Sequence, residues 1–342
     1  MSAVPMPHAL RGALERFVAQ RSRARHVRIA DAVRLSGGAI QENWRVQAEF
    51  DGGELDGEQS LVIRTDSPSG VSMSHTRARE FALLQAAFEA GVTVPQVLWL
   101  CEDRDIIGRS FFVMRCIAGT AAAHVLTRDA AWGGDRAQLC ERLGSELAHI
   151  HSIRPPRKDL GFLPACNESP AMDAVRRLRA ALDRHHMPHP ALEWGLRWLE
   201  RHAPARGAIV LCHGDYRTGN YMVDEHGLSG ILDWEFAGWG DPLQDIGWFC
   251  AKCWRFGANS NEAGGIGQRL DFYRGYERIS GSPIQDSRVH YWEVMAHVSW
   301  AVIAIQQAER HLRGEESSLL LALTGHIVPE LEYEVLAMTE GV

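Results

Sequence analysis

The sequence predicts an α+β fold, with strands gathered in the N-terminal third and helices after it. Three observations carry that prediction. Residues 27–65 hold the runs VRIADAVRL, NWRVQAEF and SLVIRT, short and rich in Val, Ile and aromatics, bounded by Gly and Asp. After Gly119 the apolar residues recur mainly at helical spacing, as Leu139, Leu143, Leu147 and Ile150 do. Strand and helix signals do not alternate for long, which excludes a doubly wound parallel sheet and places a boundary near 117–120.

Each element follows in order. Residues 8–20 space Leu10, Leu14, Phe17 and Val18 along one helix face. The runs at 27–65 form an antiparallel sheet, with DGGELDGEQ (51–59) a turn by composition. Residues 75–90 return to helical spacing, with Ala78, Phe81, Leu84 and Phe88 on one face and Gly91 as the stop. VPQVLWLCED and GRSFFVMRCI, the latter at 108–117, read as two more strands. Residues 135–151 follow Asp135, a candidate N-cap. Further helices are expected over 172–184, 190–203, 287–311 and 316–338.

Composition narrows the function. The chain has 342 residues and a net charge of −7, with a pI near 6.1. That balance argues against a general nucleic-acid binder. No apolar run reaches the roughly 18 residues that suggest a membrane span. The start, MSAVPMPHALRGALERF, lacks the plan of a secretory signal. Seven cysteines fit reduced thiols in the cytoplasm better than a disulfide framework. The bases are lopsided: of 36, only Lys158 and Lys252 are lysine and the other 34 are arginine. A site that needs a cation therefore draws mostly on arginine, a flat fork that stays charged.

The chemistry concentrates in 208–247. An apolar run, Ala208 to Cys212, delivers His213, Gly214 and Asp215 into a loop, and Asn220 follows five residues after Asp215. YMV, a DEHG turn and GIL then form a hairpin that leads to Asp233. The hairpin folds the chain back, so Asp215, Asn220 and Asp233 become neighbours. Two carboxylates and an amide oxygen are hard ligands that suit Mg²⁺ together with substrate phosphates. A carboxylate before such a hairpin can instead orient, or take a proton from, an attacking hydroxyl. Either aspartate alone would be an ordinary turn residue; the joint spacing carries the signal.

This segment resembles the aminoglycoside phosphotransferase-like kinases, the group that includes choline kinases and shares the protein-kinase fold. HGDYRTGN and VMRCIAG are most similar to the branch also found fused to acyl-CoA dehydrogenases. The resemblance implies two lobes: residues 1–117 with the sheet, nucleotide site and an extra N-terminal helix, and residues 118–342 with the catalytic loop and substrate cleft. It implies Asp215 as catalytic base, Asn220 and Asp233 as Mg²⁺ ligands, and Glu235 as a weaker candidate ligand. Gly37 and Gly38 would cover the ATP phosphates, and Arg64 stands where the fold usually has a lysine, with Glu80 as its ion-pair partner. Backbone at Arg115, Cys116 and Ile117 would contact adenine, and Arg217 would steady the γ-phosphate. Asp241 and Asp245 read as structural.

The implied activity is ATP- and Mg²⁺-dependent phosphorylation of a small-molecule hydroxyl. The acceptor classes of the family include aminoglycosides, macrolides, choline, homoserine, sugars and hydroxyacyl thioesters; the fusion-linked branch tilts the expectation toward a metabolic or hydroxyacyl-type hydroxyl, with an antibiotic kinase as the alternative. A reading of another class is an inactive nucleotide-binding scaffold, which the missing lysine favours and the intact Asp215, Asn220 and Asp233 set opposes. Other features read as structural. Cys250-x2-Cys253 lacks the second ligand pair of a zinc site. His185, His186 and His189 sit beside prolines in a loop, and His213 braces the loop before Asp215. WEFAGWGD and FCAKCW read as packing. Glu293, Glu309, Glu315, Glu316, Glu330, Glu332 and Glu334 read as a solvated face sooner than an acidic cleft.

Overall fold

The computed structural model describes residues 6, 8–35, 41–66, 75–166 and 168–340. Gly37 and Gly38 lie outside the described residues. The N-terminal lobe is a five-stranded antiparallel sheet in the order β1-β2-β3-β5-β4. Its strands are β1 His26–Leu35, β2 Gln41–Asp51, β3 Gly57–Asp66, β4 Val97–Cys101 and β5 Phe111–Arg115. Helix α1 (His8–Ser22) lies on one face, where Phe17 meets Phe111 at 5.1 Å between ring centroids. Helix α2 (Arg77–Glu89) lies on the other, where Phe81 meets Phe112 at 6.0 Å. Successive residues of a strand point to opposite faces. Phe111 and Val113 therefore join the α1 core, while Phe112 and Met114 join the core continuous with the second lobe. Each of these buried phenylalanines contributes about 1.5–3 kcal/mol.

Helix α2 turns a different face inward from the one its apolar spacing suggests. Phe88 is 49% exposed, and the buried face carries Arg77, Glu80, Leu83, Leu84 and Ala87. Arg77 and Glu80 neutralise each other one helical turn apart, so two charged residues occupy positions that an apolar count assigns to solvent.

Beyond the sheet, α3 (Arg104–Ile107) and α4 (Ala123–Leu126) are single turns, and the helical lobe is built on α5 (Arg136–His151). Asp135 caps α5, its carboxylate accepting the Gln138 N–H at 2.9 Å. Helices α6 (Pro170–Leu182) and α7 (Pro190–Arg201) precede two small ribbons. One ribbon pairs β6 (Val210–Cys212) with β9 (Gly238–Gly240), and the other pairs β7 (Tyr221–Val223) with β8 (Leu228–Ile231). Then come α8 (Pro242–Cys250), a 3₁₀ turn at Lys252–Trp254, α9 (Arg269–Ser280) and the long α10 (Asp286–Leu312). Helices α5 and α9 touch backbone to backbone. A Cβ on Gly144 would meet the Phe272 carbonyl oxygen at 2.0 Å, and one on Gly275 would meet the Glu141 oxygen at 1.8 Å. The single helix expected over 316–338 is two, α11 (Leu319–Gly325) and α12 (Val328–Thr339). Pro329 sits in the first turn of the second, and with no N–H it cannot donate the bond that a continuous helix would need there. No helix among the described residues is long and apolar enough to cross a membrane.

Candidate active site

The site is assembled from both lobes. Arg64 lies on β3, the central strand, opposite Asn43 of β2 and Phe112 of β5. Its side chain is buried, and its Nη2 donates to Glu80 Oε1 at 2.6 Å and to Asp233 Oδ1 at 2.9 Å. The other oxygen of Glu80 takes Arg77, and Arg77 Nε reaches Asp66 Oδ1 at 2.9 Å. A chain of alternating charge thus runs from β3 through α2 to the second lobe. Arg64 Nε is buried without a partner among the described residues. Burial works against the charge on Asp233, yet Arg64, with His213 and Arg217 adding to it, holds the carboxyl below the ordinary carboxylate value. The Asp233 side chain remains 40% exposed, which leaves it reachable from the cleft.

The loop after β6 is fixed by its backbone. The N–H groups of His213 and Gly214 donate to Asp245 at 2.6 and 2.9 Å, and Asp245 also meets His151 Nε2 at 3.2 Å. His213 Nε2 reaches the Leu232 carbonyl at 2.8 Å, tying the loop to the residue before Asp233. Gly214 has φ +81°, and a Cβ there would sit 2.4 Å from the Phe236 oxygen, so this turn admits only glycine. Asp245 therefore acts as a brace, and Asp241 caps α8 by accepting the Leu243 N–H at 2.9 Å.

That brace holds Asp215 at the mouth of the loop. Its Oδ1 accepts from Arg217 Nε at 3.0 Å and from Trp248 Nε1 at 2.8 Å; its Oδ2 accepts from Asn220 Nδ2 at 2.5 Å. Oδ1 is fully used by two donors, while Oδ2 keeps a lone pair for a further hydroxyl. Asn220 Nδ2 also donates to the Asp215 carbonyl at 2.9 Å, which leaves the amide oxygen facing elsewhere. The Leu232 N–H bonds the Asn220 carbonyl at 2.8 Å, so Asn220 lies beside the turn that carries Asp233. Arg217 lies over the Trp254 ring at 4.6 Å.

The structure thus brings together Arg64, Glu80 and Asp233 as one group and Asp215, Arg217 and Asn220 as another, linked through Leu232. Glu235 is half-buried, and its carbonyl accepts the His75 N–H at 3.1 Å from the other lobe. At the crossing between lobes, the Arg115 N–H bonds the Gln96 carbonyl at 2.9 Å and the Cys116 N–H bonds the Ser60 carbonyl at 3.0 Å. Those two amides anchor the crossing to the sheet.

Sequence reasoning missed Trp248, which lies 33 residues from the carboxylate it supports. It also missed Arg77, whose only local signal was an i,i+3 spacing to Glu80. The buried trio His151, Cys212 and Asp245 has ligand atoms within 4.8 Å of one another. Its bonding is already internal: Asp245 serves two backbone N–H groups, His151 Nδ1 meets the Tyr276 hydroxyl at 2.9 Å, and Cys212 donates to the Asp241 carbonyl.

Comparison with known proteins matches the same architecture. Mouse acyl-CoA dehydrogenase family member 10 is 28% identical over 296 residues, covering 80% of this chain but 27% of that protein. The chain thus spans about a quarter of that relative's length. A solved Ralstonia eutropha structure, assigned to the aminoglycoside phosphotransferases, superposes with a TM-score of 0.74 at 21% identity, covering 96% of this chain and 98% of that one. A spectinomycin phosphotransferase in complex with ADP and spectinomycin superposes with a TM-score of 0.63 at 14% identity, covering 94% and 97%. At these identities the two structures show a shared fold. The model of the phosphotransferase enzyme family (APH) matches residues 31–281, and the chain belongs to that family.

Proposed function

We propose that this chain transfers the γ-phosphoryl group of ATP to a hydroxyl of a small molecule. The observation that carries the reading is Asp215, held at three points with one lone pair of Oδ2 still available. An acceptor hydroxyl would donate to that oxygen, which orients it and takes its proton as the new O–P bond forms and the bond to the β-phosphate breaks. ADP leaves with the electron pair of the broken bond. Arg64, with a buried Nε still unpaired, would meet the nucleotide phosphates, and Arg217 would stand beside the transferred group.

The donor set fits Mg²⁺. Asn220 offers its amide oxygen and Asp233 its Oδ2, since Oδ1 is engaged by Arg64. Glu235 is a third candidate ligand. Mg²⁺ bound there would supply charge neutralisation at the phosphates.

Two acceptor readings have separate support. An antibiotic acceptor is supported by the spectinomycin-bound structural relative. A metabolic hydroxyl is supported by the sequence relatives named for acyl-CoA dehydrogenases. The test of the shared reading is ADP release with kanamycin, spectinomycin, choline and an aryl alcohol supplied in turn. Asp215→Asn should cut turnover with an accepted compound by about 10²-fold or more while ATP still binds. Near-normal turnover in that variant would remove Asp215 from the role.

A further inference from the structure

Asp215 is flanked by a group of aromatic rings. Trp248 bonds the Asp215 carboxylate directly, and its ring stands 5.1 Å from Trp254. Trp254 in turn contacts Trp300 at 4.7 Å and Phe256 at 6.5 Å. Trp254 is buried, while Trp248, Phe256 and Trp300 are each partly exposed. These three rings pack around Trp254 and keep part of their surface open, in a group that begins at the candidate base.

The charges around these rings are already matched. Arg217 covers the Trp254 face, so that ring's attraction for a cation is used. Glu293 is paired to Arg269 at 2.7 Å and lies 3.7 Å from Arg255. Glu334 is paired to Lys252. These acids are therefore not available to ammonium groups of an acceptor.

Resting on the phosphotransferase reading, we infer that Trp248, Phe256 and Trp300 form the acceptor-binding wall, and that the acceptor is a hydroxyl compound with a flat, uncharged apolar body. Its hydroxyl reaches Asp215 Oδ2 while its body lies on the indoles. A polycation gains nothing from this surface and meets Arg217 on it.

Binding and turnover separate this inference from the reaction itself. Quenching of tryptophan fluorescence by 2-naphthylmethanol and by kanamycin reads the wall; ADP release with the same compounds reads the reaction. Saturable quenching by the naphthyl alcohol is expected, weaker by about threefold to tenfold in Trp300→Ala and in Phe256→Ala, with ATP affinity unchanged. Two variants at partly exposed positions guard against loss through misfolding of one. Tighter binding of kanamycin than of the naphthyl alcohol, or naphthyl binding unchanged in both variants, would overturn the wall. Wall-dependent binding without ADP release from any compound would leave the wall standing and remove the phosphotransferase reading.

Discussion

Glu80 and Asp245 are both fully buried carboxylates, one in each lobe, and they are satisfied in opposite ways. Glu80 sits between the guanidinium groups of Arg64 and Arg77. Asp245 receives two backbone N–H groups and an imidazole. The first arrangement depends on side-chain identity, and it links lobes because Arg64 also holds Asp233. The second fixes the path of the main chain whatever the neighbouring side chains are. The β3–α2 side of the site is thus tuned by charge, and the loop that carries Asp215 is set by backbone geometry.

Breaking the charge lattice should cost most. Glu80→Gln leaves two buried guanidinium groups facing each other, each keeping one other acid, and should destabilise the fold by about 3–5 kcal/mol in urea unfolding. Its kinetic mark should be a raised KM for ATP, since Arg64 loses its anchor. A variant as stable as the parent would show that Asp66 and Asp233 suffice.

Removing the backbone brace comes next. Asp245→Ala strands the His213 and Gly214 N–H groups, at about 1–3 kcal/mol each before any water enters. Here kcat should fall while KM for ATP holds, because Asp215 loses its placement and the β3–α2 side is untouched. A change confined to KM would contradict the contrast between the two lobes.

The contrast also explains what the sequence disclosed. HGD-x4-N and the following Asp233 were legible because a strand, a loop and a hairpin place them by local geometry. The α2 face was misread because apolar periodicity presumes that charges stay outside, whereas Arg77 and Glu80 enter as a pair. Trp248 was not legible because its meeting with Asp215 depends on how α8 packs beneath the loop. The break between α11 and α12 had a signal in Pro329, yet the length of 316–338 suggested one helix.

The smallest effect sharpens the loop side. Trp248→Phe keeps the ring but removes one of the two donors on Asp215 Oδ1. A loss of about 1 kcal/mol, near fivefold in kcat, is expected. An unchanged kcat would mean that Arg217 alone positions that oxygen.

The most direct test of the account follows the phosphoryl group. ATP carrying ¹⁸O at the three non-bridging γ oxygens is supplied with kanamycin, spectinomycin, choline and an aryl alcohol in turn, and products are weighed by mass spectrometry. The account predicts an acceptor phosphate that carries all three labels, its bridging oxygen unlabelled, and loss of that product in Asp215→Asn. Label appearing only in inorganic phosphate, with every acceptor left unmodified, would contradict it.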